Sequence, residues 1–513
     1  MKNDDSLSAA FNAAALMYAD KTAIESNGVA YTFSRVKRTS DKFACSLIEM
    51  GVCKGDRVAL YSVNCYEFAV AYMGIVKAGA VVVPINTLQK PDEIEFVLRN
   101  STAKGVIYHR NLDVQMQQVR KKITEPLFFI PMSNGEHTSS AWDGCLNNSG
   151  DFVMPIINPS TDLAAILYTS GTTGEPKGAM LTHQNLVTNT NSVFKAMKWT
   201  AGKDIIVLVL PMFHAFAATV GMLTPLTNGC CFVTVEKFEI NKLLLSIEQT
   251  RSTVFLGVPS MYNILLGVKS EQTTMFQSIT QCISGGASMP VDVLTQFEEK
   301  FSVPIYEGDG PTECSPVTCV NPIGGIRKIG TVGLPVPNVK MKIINEAGDE
   351  LPNGKIGEIA VQGRSVMKGY WKRPKETEAA FDNGWFLTGD LGTEDADGYF
   401  SILDRKKDMV IVNGMNVYPR IIEEVLYKHP AIHEVAVIGE VDKRHGEIPV
   451  AYIVLIEGTT ATELEIKQWC RQFLGNYEVP KKIIFMSGLP KNASGKIVKR
   501  VLSKSGEIER GII

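Results

Sequence analysis

The chain has 513 residues, more than one ordinary domain holds, and 45% hydrophobic against 21% charged residues exclude a disordered polymer. Its 52 basic and 54 acidic side chains leave a net charge of -2, without the electrostatic footprint of a nucleic-acid binder. The 10 cysteines show no CxxC spacing and no zinc-type Cys/His cluster, which points to free thiols in a reducing compartment.

The N-terminal stretch MKNDDSLSAAFNAAALMYAD carries early acidic residues and no sustained apolar run, so it reads as an amphipathic first helix rather than a signal peptide, and a cytoplasmic location is expected. To about residue 160, short apolar runs alternate with helical patterns. RVALYSVN, KGVIYH and LFFI read as strands, and YEFAVAYMGIVKAGAVVVPIN as a helix followed by a buried strand. The strand AAIL then runs into Tyr168-Thr169-Ser170-Gly171-Thr172-Thr173-Gly174-Glu175-Pro176-Lys177-Gly178. Glycines let the backbone turn closely around a ligand, exposed amides and hydroxyls donate to phosphate oxygens, and Lys177 adds a positive charge. The loop lacks the GxxxxGK[ST] spacing, which argues against a phosphate-loop nucleotide hydrolase.

Between Ile205 and Val235 no Asp, Glu, Lys or Arg occurs. That length would span a membrane. Pro211, His214, Pro225, Asn228 and Gly229 interrupt it, and the pattern reads as strand, loop, short helix and strand within an α/β core. TVFLGVP, QCISGGA and VPIYEGDG each end a strand on small residues, at the strand ends where open α/β sheets gather ligands. Beyond residue 328 the character changes to β-hairpin material, and the run LDRKKDM marks a junction. The expected organisation is mixed α/β and α+β: residues 1–403 a large domain of layered α/β subdomains plus a β-rich subdomain, 404–409 a hinge, and 410–513 a small mobile α+β domain.

The loop at Thr169–Lys177 closely resembles the core signature of the adenylate-forming superfamily, which includes acyl-CoA synthetases, luciferases and nonribosomal peptide adenylation domains. The nearest likeness is to bacterial fatty-acid- and coumarate-type CoA ligases, and it extends over nearly the whole chain. The resemblance implies that MgATP activates a carboxylic acid as an acyl-adenylate and that coenzyme A accepts the acyl group. Thr169, Ser170, Gly171, Thr172, Thr173, Gly174 and Lys177 would hold phosphates. In Gly310-Pro311-Thr312-Glu313, Thr312 would meet the α-phosphate and Glu313 would help hold magnesium, which prefers oxygen ligands. Asp390 in Trp385-Phe386-Leu387-Thr388-Gly389-Asp390 would bind ribose hydroxyls, with Arg405 a second ribose or phosphate contact. Lys407 falls at the hinge position, where a junction changes backbone angles as the small domain rotates. Lys496 in Asn492-Ala493-Ser494-Gly495-Lys496 would neutralise charge between carboxylate and α-phosphate.

One position departs from the pattern. Asp309 stands where the family usually packs an aromatic ring on adenine, a platform worth roughly 1–3 kcal/mol per stacked base. Weakened ATP affinity or an altered adenine pose is expected; the alternative is that adenine is held mainly by the flat backbone of Gly285-Gly286-Ala287 on one side and Glu307-Gly308 on the other. His214, in Pro211-Met212-Phe213-His214, resembles a residue at the acyl-site entrance, and Phe216, Ala217, Gly286 and Cys314 are candidate walls, an apolar set suited to an apolar acid. Gly414 and Met415 resemble a loop that faces the site after rotation, and Lys443 and Arg444 are candidate coenzyme A phosphate contacts. The rival readings are an acyl-adenylate enzyme with another acceptor and a non-catalytic nucleotide- or acyl-binding protein. No transmembrane segment is expected, peripheral membrane contact stays open, and oligomeric state is not legible.

Overall fold

A computed structural model describes residues 6–125, 127–133, 139–169, 175–492 and 495–502. Two parallel-cored sheets and a smaller antiparallel one build the large domain, and a fourth sheet builds the small domain. In the nine-stranded sheet, Ile305–Asp309, Gln281–Ser284, Val254–Gly257, Ile205–Leu208, Cys231–Thr234 and Thr22–Ser26 lie side by side and parallel. Their continuous apolar sequences suit strands covered on both faces. Because they run the same way, Gly285, Val258 and Gly310 all emerge at one sheet edge.

In the six-stranded sheet, Arg57–Tyr61, Val81–Pro84, Ala103–His109, Phe128–Met132 and Leu163–Thr169 are parallel, and Lys177–Thr182 returns antiparallel. Thr169 pairs with Lys177, so the candidate phosphate loop connects the two strands of this hairpin. Beyond it, Thr182 and Asn185 form a capping box that starts the helix His183–Ala196. The charge-free stretch folds as expected: a strand, a wide π-turn over Ala217–Leu223, a short helix Thr224–Asn228, and a strand. Among the described residues no helix is long and apolar enough to cross a membrane.

The β-rich subdomain is an antiparallel sheet of Val339–Ile344, Gly357–Gly363, Trp385–Glu394, Phe381–Asp382 and Phe400–Arg405. Its last strand moves the boundary expected at 403/404: Asp404 and Arg405 continue the ladder, pairing with Leu391 and Asp390. Charge density alone suggested a hinge at these two residues, but charged side chains sit readily on a strand that faces a polar cleft. The turn itself covers 406–409, where Asp408 and Met409 donate to the Arg405 carbonyl at 2.9 and 3.1 Å.

The small domain is α+β: the helices Pro419–Tyr427 and Glu463–Cys470 pack on a sheet of Val410–Val412, Met415–Val417, Ile432–Asp442, Gly446–Leu455 and Lys482–Phe485. Its two apolar clusters contain residues from 410 onward, and those of the large domain none beyond 402. No apolar cluster of the described residues bridges the domains.

Candidate active site

The parallel strand ends open onto a cleft of about 870 Å³ between the domains. The large domain contributes Gly286, Asp309, Asp390 and Arg405, and the small domain contributes Arg420 and Lys496. Gly286 has φ +79°, a left-handed conformation that glycine adopts without strain. At Gly310 a Cβ would lie 1.9 Å from the Pro316 carbonyl oxygen, so only glycine lets these segments cross.

Lys496 enters the cleft from a tight turn: its N–H donates to Asn492 Oδ1 at 2.9 Å, and the Asn492 N–H donates to its carbonyl at 2.9 Å. Ser260 of the large domain donates to the Gly495 carbonyl at 3.1 Å, and Asn263 to the His433 carbonyl at 3.3 Å, docking the small domain. Burial, then Arg405, pulls the Lys496 pKa below the usual lysine range, against Asp390 and Asp309 on the same cleft, which favour its charge.

Asp390 and Arg405 are cross-strand partners and form an ion pair at 2.9 Å. Burial pushes the Asp390 carboxyl up against the pull of Arg405. Burial, reinforced by Asp390, lifts Asp309 to about 6. Asp309 borders both the cleft and the apolar cavity beside it, so it belongs to a network of two carboxylates and two cations rather than to a flat adenine platform. Glu307 lies on the same strand, its Oε1 accepting the Met289 N–H at 3.0 Å and its Oε2 without a hydrogen-bond partner among the described residues. Burial raises it to about 7.

The smaller cavity encloses about 50 Å³ and is walled by His214, Phe216, Met197, Ile283, Val317 and Val320. His214 Nδ1 accepts the Phe216 N–H at 3.3 Å, which leaves the ring proton on Nε2. Burial, then Lys496, depresses its pKa to about 4, so it is neutral at pH 7; with its Nδ1 lone pair already engaged and so low a basicity, it is a poor proton acceptor. Two expected walls are absent from the lining. Ala217 and Cys314 are fully buried behind it: Ala217 turns into the core from the π-turn, and Cys314 packs in a short 3-10 turn whose carbonyl accepts from Asn189.

Thr312 borders this cavity, one residue from Glu313. The Glu313 carboxylate is fixed by the Tyr370 hydroxyl at 2.9 Å, and Lys177 Nζ stands 5.3 Å from the Tyr370 ring centroid. Tyr370 therefore ties the phosphate hairpin to the magnesium candidate, a role that no pattern around it announces. Ser170, Gly171, Thr172, Thr173 and Gly174 lie outside the described residues, while Thr169 and Lys177 flank them. Gly285, Ala287, Glu307 and Gly308 border the cleft or cavity, as does Lys407 at the turn.

Gly414, Met415, Lys443 and Arg444 do not line the cleft. The Asn413 N–H donates to the His445 carbonyl at 2.8 Å, which brings both pairs together at two adjacent turns of the small domain, where all four are exposed. They sit outside because the face of the small domain carrying Lys496 is the one turned inward.

Residues 11–371 match the family described as AMP-binding enzyme, and residues 421–496 its C-terminal domain. The long-chain-fatty-acid–CoA ligase of Bacillus subtilis (strain 168) is 36% identical over 516 residues, covering 95% of this chain and 92% of that protein. The ATP-bound crystal structure of MatB from Rhodopseudomonas palustris superposes with a TM-score of 0.90 at 32% identity, covering 97% of this chain and 98% of that one. The apo structure of the same MatB, covering 96% and 98% at 32% identity, gives 0.78. The arrangement seen here is thus nearer to the ATP-bound form of that protein.

Proposed function

The chain belongs to the AMP-binding enzyme family, and from that premise we propose that it is an AMP-forming acyl-CoA ligase for a fatty acid, working through the residues gathered around Lys496. The observation that carries the reading is the convergence of Lys496, Asp309, Asp390 and Arg405 beside an apolar cavity. The carboxylate of the acid attacks the α-phosphate of ATP and pyrophosphate leaves. Lys496 neutralises the charge that accumulates between the two anions, and Thr312 donates a hydroxyl hydrogen there. Asp390, held open by Arg405, accepts the ribose hydroxyls.

Magnesium fits the donor set as an ion carried largely by substrate phosphates, with Glu313 its oxygen ligand from the chain, and when bound it neutralises phosphate charge. In the second step the coenzyme A thiol attacks the acyl carbonyl and AMP leaves. The small domain turns about Lys407 so that Gly414, Met415, Lys443 and Arg444 replace Lys496 at the site. Neutral His214 shapes the acid entrance. The cavity is smaller than any long alkyl chain, so its walls part on binding, and the unbranched Met197 is suited to yield. The name of the Bacillus subtilis relative supports a long chain. Ten free cysteines and dependence on ATP and coenzyme A support a cytoplasmic setting.

The test is pyrophosphate release with MgATP across straight-chain and aromatic acids, each with and without coenzyme A. Sustained, coenzyme-dependent turnover with straight-chain acids is expected. A burst of about one equivalent that ignores coenzyme A would assign another acceptor, a preference for aromatic acids would overturn the fatty-acid assignment, and no release with any acid would overturn the ligase.

A further inference from the structure

The strand Lys177–Thr182 is the last of its sheet, yet its outer edge is not left bare: residues 368–371 lie antiparallel along it, with Tyr370 opposite Ala179. The Met180 N–H donates to the Gly369 carbonyl at 2.9 Å, the Lys368 N–H to the Met180 carbonyl at 2.9 Å, and the Trp371 N–H to the Gly178 carbonyl at 2.8 Å. This strap is anchored beyond the ladder as well. Trp371 Nε1 donates to the Asn100 carbonyl at 3.0 Å, the Tyr370 N–H donates to Thr377 Oγ1 at 2.9 Å, and Arg373 pairs with Glu175. At Gly369 φ is +138° and a Cβ would lie 2.6 Å from Thr377 Cγ2, so glycine is needed for the strap to lie this close.

The same strap grips Glu313 twice. The Met367 N–H donates to the Glu313 carbonyl at 2.7 Å, and the Tyr370 hydroxyl donates to Glu313 Oε1 at 2.9 Å. A phenol is neutral and carries one hydrogen to donate, so it orients the carboxylate without cancelling its charge, which a lysine or arginine in its place would do. Lys177 Nζ stands over the same ring, 5.3 Å from its centroid. One side chain thus meets a cation of the phosphate hairpin at its ring and the candidate magnesium ligand at its hydroxyl.

We propose that Tyr370 is a positioning residue for MgATP: its hydroxyl holds Glu313 in the orientation that offers a carboxylate oxygen to the ion, and the strap sets that oxygen at a fixed reach from the phosphate hairpin. Tyr370 acts through Glu313 and touches neither the ion nor the acid. The inference rests on the ligase reading for its kinetic consequence, and on the hydrogen bond and the strap for its structural one.

The test is Tyr370→Phe in the full chain, which keeps the ring beside Lys177 and removes the hydroxyl alone. In acid-dependent pyrophosphate release, kcat/KM for MgATP is expected to fall about tenfold, the size of one hydrogen bond to a charged acceptor, with the KM for the acid unchanged. Titration calorimetry reads binding apart from activity. The Kd of MgATP is expected to rise about tenfold, whereas the Kd of ATP in the presence of a chelator stays at its wild-type value. An equal change for both forms of ATP marks a distorted pocket and would overturn the proposal, as would no change in either. In a Glu313→Ala background the same substitution is expected to weaken MgATP no further, and a second, independent loss there would assign the effect to another partner and sink the proposal. The magnesium-specific shift in a protein that releases no pyrophosphate would uphold the positioning role while the ligase reading fails; unchanged MgATP binding would overturn that role even in an active ligase.

Discussion

On the proposed reading the first step depends on Lys496, which lines the cleft with Asp390 and Asp309. Lys496→Ala is expected to slow acid-dependent pyrophosphate release by about 10²–10³-fold while sparing thioester formation from supplied acyl-adenylate, the separation that marks a group acting only while charge accumulates at phosphorus. Glu307 carries a pH signature. Burial raises its folded-state pKa to about 7 from the ordinary 4.5, so the folded protein retains a proton that the unfolded chain has released. The stability associated with that proton is present below pH 4.5 and is lost as pH rises towards 7. Glu307→Gln cannot ionise and is expected to gain on the wild type between pH 5 and 8, by about 3 kcal/mol at most, read as the difference in denaturation midpoints. Lys496, Asp390 and Arg405 are legible in the sequence because each sits inside a short ordered motif. Tyr370 is not, since it acts on a partner far away in sequence, Glu313. Ala217 and Cys314 mislead for the opposite reason. Their neighbours Phe216 and Thr312 face the cavity, and periodicity in a π-turn or a single 3-10 turn does not tell which residue turns inward.

At the level of elements, strands and helices follow from apolar runs and turn residues, and the parallel order puts the small-residue ends at one edge. The register is different. That Asp390 pairs with Arg405 fixes how far the last strand extends, and a run of charges conceals a backbone ladder. The resulting turn is short, with Lys407 at its middle, and the Asp408 and Met409 bonds to the Arg405 carbonyl do not use the Lys407 N–H. Lys407→Pro fixes φ without removing either bond. It is expected to leave pyrophosphate release within about 3-fold of wild type and to slow the coenzyme A step at least about tenfold, as rotation of the small domain becomes the barrier. Stopped-flow measurement of the two steps separates these outcomes.

Over the whole molecule, apolar cores separated by a seam that no apolar cluster of the described residues crosses imply two cooperative units. Calorimetry of the unliganded protein is expected to resolve two transitions. A non-reactive acyl-adenylate analogue, touching both domains, is expected to draw them together and to add about 2.7 kcal/mol at one hundred times its Kd. The two domains were legible from a shift in sequence character; the separation of their cores was not, because it depends on which faces meet. The same seam bears on how such proteins diversify. On the proposed reading, acid choice resides in the walls of the smaller cavity, all from the large domain, whereas the small domain brings Lys496 and the turns proposed for the second step. A foreign small domain grafted after Lys406 would have contacts such as those of Ser260 with the Gly495 carbonyl and Asn263 with the His433 carbonyl to reproduce, and among the described residues no shared apolar cluster to rebuild. Selectivity for the acid and handling of the acceptor can therefore be inherited, lost or exchanged as separate traits.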